Sequence, residues 1–67
     1  MFGIKANIEG LGYVEKRMSN VTLHDAKSLA GKAFHKEDVI SVCVFDQEGI
    51  AHLYLKKTPE GVIREER

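Results

Sequence analysis

Residues Thr22 to Phe34 (TLHDAKSLAGKAF) form the only stretch of the chain with helical periodicity, and they separate two stretches that alternate like β-hairpins. Leu23, Ala26, Leu29, Ala30, Ala33 and Phe34 fall on one side of a 3.6-residue repeat. That is the pattern of a helix lying on a sheet. Thr22 followed by Asp25 has the form of a capping box, with Asp in place of the usual Glu or Gln, and it sets the start of the helix. One helix between two hairpins leaves a two-layer α+β arrangement as the way to bury this stripe.

Before the helix, Phe2, Ile4, Ala6 and Ile8 alternate with Gly3, Lys5, Asn7 and Glu9, the period of a half-buried strand. Gly10-Leu11-Gly12 supplies a hairpin loop, because glycine accepts positive φ. Tyr13 to Met18 then returns, with Ile8 predicted opposite Val14, Ala6 opposite Lys16 and Ile4 opposite Met18. After the helix, Val39 to Phe45 is β-branched and apolar, Asp46-Gln47-Glu48-Gly49 is a turn, and Ile50 to Lys57 returns. Pairing across that turn predicts Val44 opposite Ala51, Val42 opposite Leu53 and Ile40 opposite Leu55, one wholly apolar face for the helix to cover. Thr58-Pro59-Glu60-Gly61 is a further turn, after which Val62-Ile63-Arg64 adds a fifth short strand. The predicted order is β-β-α-β-β with that fifth strand, in an antiparallel sheet. The predicted core is Ile4, Ile8, Val14, Leu23, Ala26, Leu29, Ala30, Ala33, Phe34, Ile40, Val42, Val44, Leu53 and Leu55.

Residues 1–67 leave room for a single domain with one small core, and 64–67 read as a charged tail. A chain of this size buries only about 60% of its unfolded surface, and small domains without staples often gain stability by oligomerising or docking on a partner. One cysteine allows neither an intramolecular disulfide nor a cysteine-based metal cluster. No apolar run has the length of a signal peptide core or a membrane span, so the expected location is the cytoplasm, with no membrane partner. Ten basic and ten acidic side chains give a formal net charge of zero, whereas a dedicated nucleic-acid binder carries a basic excess.

The second face of the second hairpin carries Val39, Ser41, Cys43, Phe45, Ile50, His52, Tyr54 and Lys56, too apolar a set for a face meant only for water. Such a patch marks an interface, with a second copy or with another protein, unless the tail strand or first hairpin folds over it. The predicted interface residues are Phe45, Ile50, His52 and Tyr54, with the two aromatic rings Phe45 and Tyr54 as anchors. In the predicted register Cys43 and His52 lie opposite each other with Cβ atoms about 5 Å apart. A Cys–His pair can generate a reactive thiolate. Here no orienting group, oxyanion hole or cleft accompanies it, and the reading is a packed thiol beside a surface histidine. His24 and His35, on one helix face but about 16 Å apart along the axis, cannot share an ion. The glycines at 10 and 12 are not followed by a helix, as a phosphate loop requires. No catalytic residue, cofactor or metal is therefore expected.

Basic residues offer a second candidate surface: Lys27, Lys32 and Lys36 on the solvent side of the helix and Lys56, Lys57 and Arg64 near the end of the chain are the favoured contacts, with Lys5, Lys16 and Arg17 in the first hairpin. A cluster drawn from these could contact a phosphate backbone or an acidic partner. The plainer alternative is an ordinary solvated surface, since Glu15, Glu37, Asp38 and Glu60 are interspersed and no aromatic is interleaved with the lysines as a stacking platform needs.

The run from Thr22 to Lys32, with its T-L-x-x-A-K-x-x-A-x-K pattern, precedes Val42-Cys43-Val44, a turn glycine and the strand Leu53-Tyr54-Leu55-Lys56. This combination resembles small phage-encoded anti-CRISPR inhibitors of type I systems over about the last two thirds of the chain. The T-L-x-x-A element also occurs in HicB-type antitoxins, whose G-Y-V strand is similar to Gly12-Tyr13-Val14. The first resemblance implies a β-β-α-β-β-β order and a stoichiometric blocker that occupies a surface, its Lys and Arg side chains mimicking or displacing contacts. The expected function is that of a small non-enzymatic interaction protein, an inhibitor or adaptor of phage or mobile-element type that binds a protein or nucleoprotein partner. The alternative is a nucleic-acid-binding regulator or antitoxin-like protein using the Lys and Arg clusters.

Overall fold

The computed structural model describes residues 1–67, and the capping box predicted at Thr22 is formed in it. The Asp25 N–H donates to Thr22 Oγ1 at 3.1 Å, and the Thr22 N–H donates to Asp25 Oδ2 at 3.5 Å. Helix α1 (Leu23–Phe34) starts immediately after this cap. It lies between the strands β1 (Phe2–Ile8) and β2 (Gly12–Met18) on one side in sequence and β3 (Val39–Asp46), β4 (Ala51–Thr58) and β5 (Gly61–Glu66) on the other. The strands form one antiparallel sheet in the order β2-β1-β3-β4-β5, with α1 packed on one face. This is the predicted two-layer α+β arrangement. β5 runs through Arg64, Glu65 and Glu66, so the expected charged tail is strand almost to its end.

Ala26 and Ala30 are completely buried and Phe34 nearly so, one turn apart along a single line. Two small side chains let the α1 backbone sit close on β1 and β3, the strands it packs against. Leu29 differs from expectation: it is 44% exposed. Its position is about 100° round the helix from Ala30, which points it along the sheet toward β2 rather than down into the core. Val14, on β2, is correspondingly 40% exposed.

Both hairpins pair two residues away from the predicted register. In the first, the loop is Glu9-Gly10-Leu11, closed by the Leu11 N–H donating to the Ile8 carbonyl at 3.0 Å. Gly12 already belongs to β2, opposite Ile8, at φ 90°. Val14 therefore faces Ala6, Lys16 faces Ile4 and Met18 faces Phe2. A shift of two keeps every side chain on its predicted face, because the strand period is two.

In the second hairpin Asp46 holds the turn: Oδ1 accepts the N–H groups of Glu48 and Ile50, both at 2.9 Å. Ile50 is consumed by this turn instead of opening β4. Val44 then pairs with Leu53 and Val42 with Leu55, while Phe45 pairs with Ala51, leaving His52 as an extra residue in a bulge. A second bulge lies where β3 meets β1. Asn7 pairs with Ser41 but Ile8 pairs with Val39, so Ile40 is skipped. Val39, expected on the outer face, is 3% exposed and part of the core, whereas Ile40, expected in the core, is only half-buried. The core is completed by Ala6, Val42, Val44, Leu53 and Leu55, with Phe2, Ile4, Ile8, Met18, Leu23 and Ala33 packed around it.

Candidate interaction surface

The outer sheet face has no helix over it, and the observed registers dictate which side chains share it. One row across the strands is Arg17, Gly3, Phe45 and Ala51. The next is Glu15, Lys5, Cys43, Tyr54 and Glu65, followed by Tyr13, Asn7, Ser41, Lys56 and Ile63. Phe45 leans over Gly3, so closely that a Cβ on that glycine would overlap the Phe45 ring. The Arg17 guanidinium sits over the same ring, 5.5 Å from its centroid, while Glu15 holds Arg17 by a 2.9 Å hydrogen-bonded ion pair. Beside them, Lys5 Nζ lies 5.2 Å from the centre of the Tyr13 ring. Cation and ring thus alternate along this end of the face, each cation attracted by the ring's electron-rich surface.

Of the four predicted interface residues, Phe45 and Tyr54 share this face, on adjacent strands and one row apart. Ile50 and His52 do not join them. Ile50 stays in the turn, 43% exposed. His52 is turned by its bulge toward the helix side, where its Nε2 lies 2.8 Å from Asp46 Oδ2 and its ring meets Phe2 edge-on at 6.0 Å between centroids. The hydrogen bond from His52, with the Ile50 and Glu48 N–H groups, holds the Asp46 carboxyl below the usual carboxylate range. Cys43 accordingly faces Tyr54 and not His52. Burial pushes its thiol pKa up, partly opposed by Lys5, so at neutral pH it is a protonated, half-buried side chain. No group of three or more His, Cys, Asp and Glu side chains is placed to hold a metal ion, and no helix is long and apolar enough to cross a membrane.

The six predicted basic contacts divide among several places. Lys27 Nζ reaches across from α1 to Glu66 at 2.9 Å, and Arg64 pairs with the same carboxylate at 2.6 Å. These two cations hold the Glu66 carboxyl down to a pKa of about 2. Lys57 Nζ is bonded to the Lys36 carbonyl at 2.7 Å and lies 5.0 Å from the Phe34 ring centroid. Lys56 is on the outer face. Of these six, only Lys32 and Lys36 come together with free ammonium groups, and Lys16 of the first hairpin joins them at the groove between α1 and β2.

Sequence reasoning counted Lys5 and Arg17 only among the basic residues of the first hairpin, and missed Tyr13 and the grouping of all three on the outer face. Their alternation along β1 and β2 is visible in the sequence, but the neighbourhood of Phe45 depends on β1 pairing with β3, a contact across more than thirty residues. The chain matches no protein-family model, no curated protein and no solved structure.

Proposed function

We propose that the chain is a small non-enzymatic interaction protein, an inhibitor or adaptor of the kind carried by phages and mobile elements. On this reading it acts in the cytoplasm by occupying a surface of a protein or nucleoprotein partner. The observation that supports the reading best is the outer sheet face, which no helix covers, where exposed Tyr13 and Ile63 and half-buried Phe45 and Tyr54 surround a half-buried thiol. A flat face with aromatic anchors suits a macromolecule better than a small substrate, which is held in concave sites.

The test is Phe45→Glu. Its side chain points away from α1, so the far-UV spectrum and melting cooperativity should persist, while association is lost. Sedimentation of the pure protein reads self-association. A paired capture experiment from the native host, wild type against variant, reads loss of a partner. A wild-type protein that stays monomeric at high concentration, with no captured protein lost in the variant, overturns the reading.

The alternating cations and rings favour a second reading, a nucleic-acid-binding regulator. Lys5 over Tyr13 and Arg17 over Phe45 provide the interleaving that stacked bases and phosphates use on open sheets. Their response to salt separates the two readings.

A further inference from the structure

The helix side of the sheet is covered unequally. Five strands spaced at about 4.8 Å span about 19 Å between outer axes, while a helix is about 10 Å across and covers two of them. α1 covers β1 and β3. Toward β5 the remaining width is closed by polar bridges, Lys27 to Glu66 to Arg64 and Lys57 onto Phe34 and the Lys36 carbonyl. Toward β2 nothing bridges. A groove of about 530 Å³ is left there, with Ile4, Val14 and Met18 as its floor and Leu29 and Ala33 as the wall on α1.

The rim of this groove is basic. Lys16 on the strand side and Lys32 and Lys36 on the helix side line it, and none of the three side chains has an ion-pair partner. Glu15, which also borders the groove, belongs to the outer face, where Arg17 engages its carboxylate. A strip of half-exposed apolar side chains with one free ammonium group on its strand side and two on its helix side has a complement of definite chemistry. We infer that the groove beside α1 docks an amphipathic helix from a partner protein, with its apolar stripe on Val14 and Leu29 and its flanking carboxylates on Lys16, Lys32 and Lys36.

A second copy of this chain is the wrong occupant, because its own α1 would bring Lys32 and Lys36 against the same lysines. The partner helix would complete the layer that α1 begins, lying alongside it over β2, in the helix-in-groove mode of peptide recognition. The inference rests on the reading of the chain as an interaction protein, but not on the role of Phe45, which lies on the opposite face of the sheet.

The test uses the full chain and two synthetic peptides of about 16 residues, enough to run the length of α1. Both carry leucines at i, i+3, i+4 and i+7; one has glutamates on the flanking positions, the other lysines. The acidic peptide should bind and move the backbone amide resonances of Val14, Leu29 and Ala33, and the basic one should bind at least tenfold more weakly. The double variant Lys32→Glu/Lys36→Glu, both exposed positions, should keep the wild-type melt and reverse the preference. Phe45→Glu should bind the acidic peptide as wild type does, which separates failure of this inference from failure of the outer-face reading. Equal binding of the two peptides, shifts confined to the Phe45 face, no change of preference in the double variant, or concentration-dependent shifts in the groove without peptide would each overturn it.

Discussion

Gly3 shows how much one side-chain hydrogen can decide. On β1 it lies opposite Phe45, and the absence of a Cβ is what allows that ring to lie across the strand and meet Arg17. Gly3→Ala should push the ring outward, at a cost of roughly 1 kcal/mol in chemical denaturation, since the ring is free to swing toward solvent. Its clearer mark should be a changed chemical environment at Arg17 and Phe45 in NMR spectra, with α1 unaffected. Glu66 makes a different point. Its carboxyl is held at a pKa of about 2 by Lys27 and Arg64, against an ordinary value of 4.5. A folded-state pKa below the unfolded one means that stabilisation is full above about pH 4.5 and is lost as the pH falls toward 2. In Glu66→Gln, the decline of the denaturation midpoint across that window should be shallower than in wild type. An unchanged slope would mean that the Lys27 bridge contributes nothing to docking β5 on the helix side.

At the scale of elements, the two bulges govern which residues the core receives. Skipping Ile40 turns Val39 inward beneath the end of α1, and the extra His52 on β4 carries the imidazole to Asp46. Val39→Ala should therefore cost about 2 kcal/mol and Ile40→Ala no more than about 1 kcal/mol, the reverse of what simple alternation along β3 implies. Leu29→Ala belongs to the same comparison. A leucine fully inside a core is worth ~2–5 kcal/mol on truncation, but one 44% exposed on the flank of α1 should cost about 1 kcal/mol. Urea denaturation of the three variants checks all of these. A Leu29→Ala loss as large as a core leucine would place that side chain under a covering layer even in the isolated protein.

For the molecule as a whole, the sheet ends in two strands that carry a charged triplet each, Glu15-Lys16-Arg17 on β2 and Arg64-Glu65-Glu66 on β5. Charged edges discourage strand-to-strand growth. The surfaces left for association are thus the faces, with aromatic anchors on one and the basic-rimmed groove on the other. The proposed protein interaction through Phe45 and Tyr54 should weaken little with added salt, because an apolar contact releases few ions. Phosphate contacts through Lys5, Arg17 and Lys56 would instead weaken steeply. Fluorescence anisotropy with a single-stranded oligonucleotide between low and physiological salt should show at most weak, salt-labile binding. Tight binding that survives physiological salt and is lost in Tyr13→Ala would favour the nucleic-acid reading.

Local signals were enough for every element of this fold. The T-x-x-D cap, the alanine stripe at Ala26 and Ala30 and the alternation of β1 and β3 act within a few residues, so they are written in the sequence at that range. Face assignment survived the mistaken registers in the first hairpin and from Val42 to Val44 in the second, where the slip is an even number of residues, and failed at the bulges around Ile40 and His52. What the tertiary structure decided was everything that needs two distant segments at once. Ile40 yields its inward place to Val39 only because β1 pairs with β3 through a bulge, and Phe45 finds room over Gly3 for the same reason. Leu29 lies on the apolar side of α1 in the sequence, yet whether that side is covered depends on the width of the sheet against the width of one helix. Periodicity reports which way a side chain leans along its own element; only the assembled layers determine what stands opposite it.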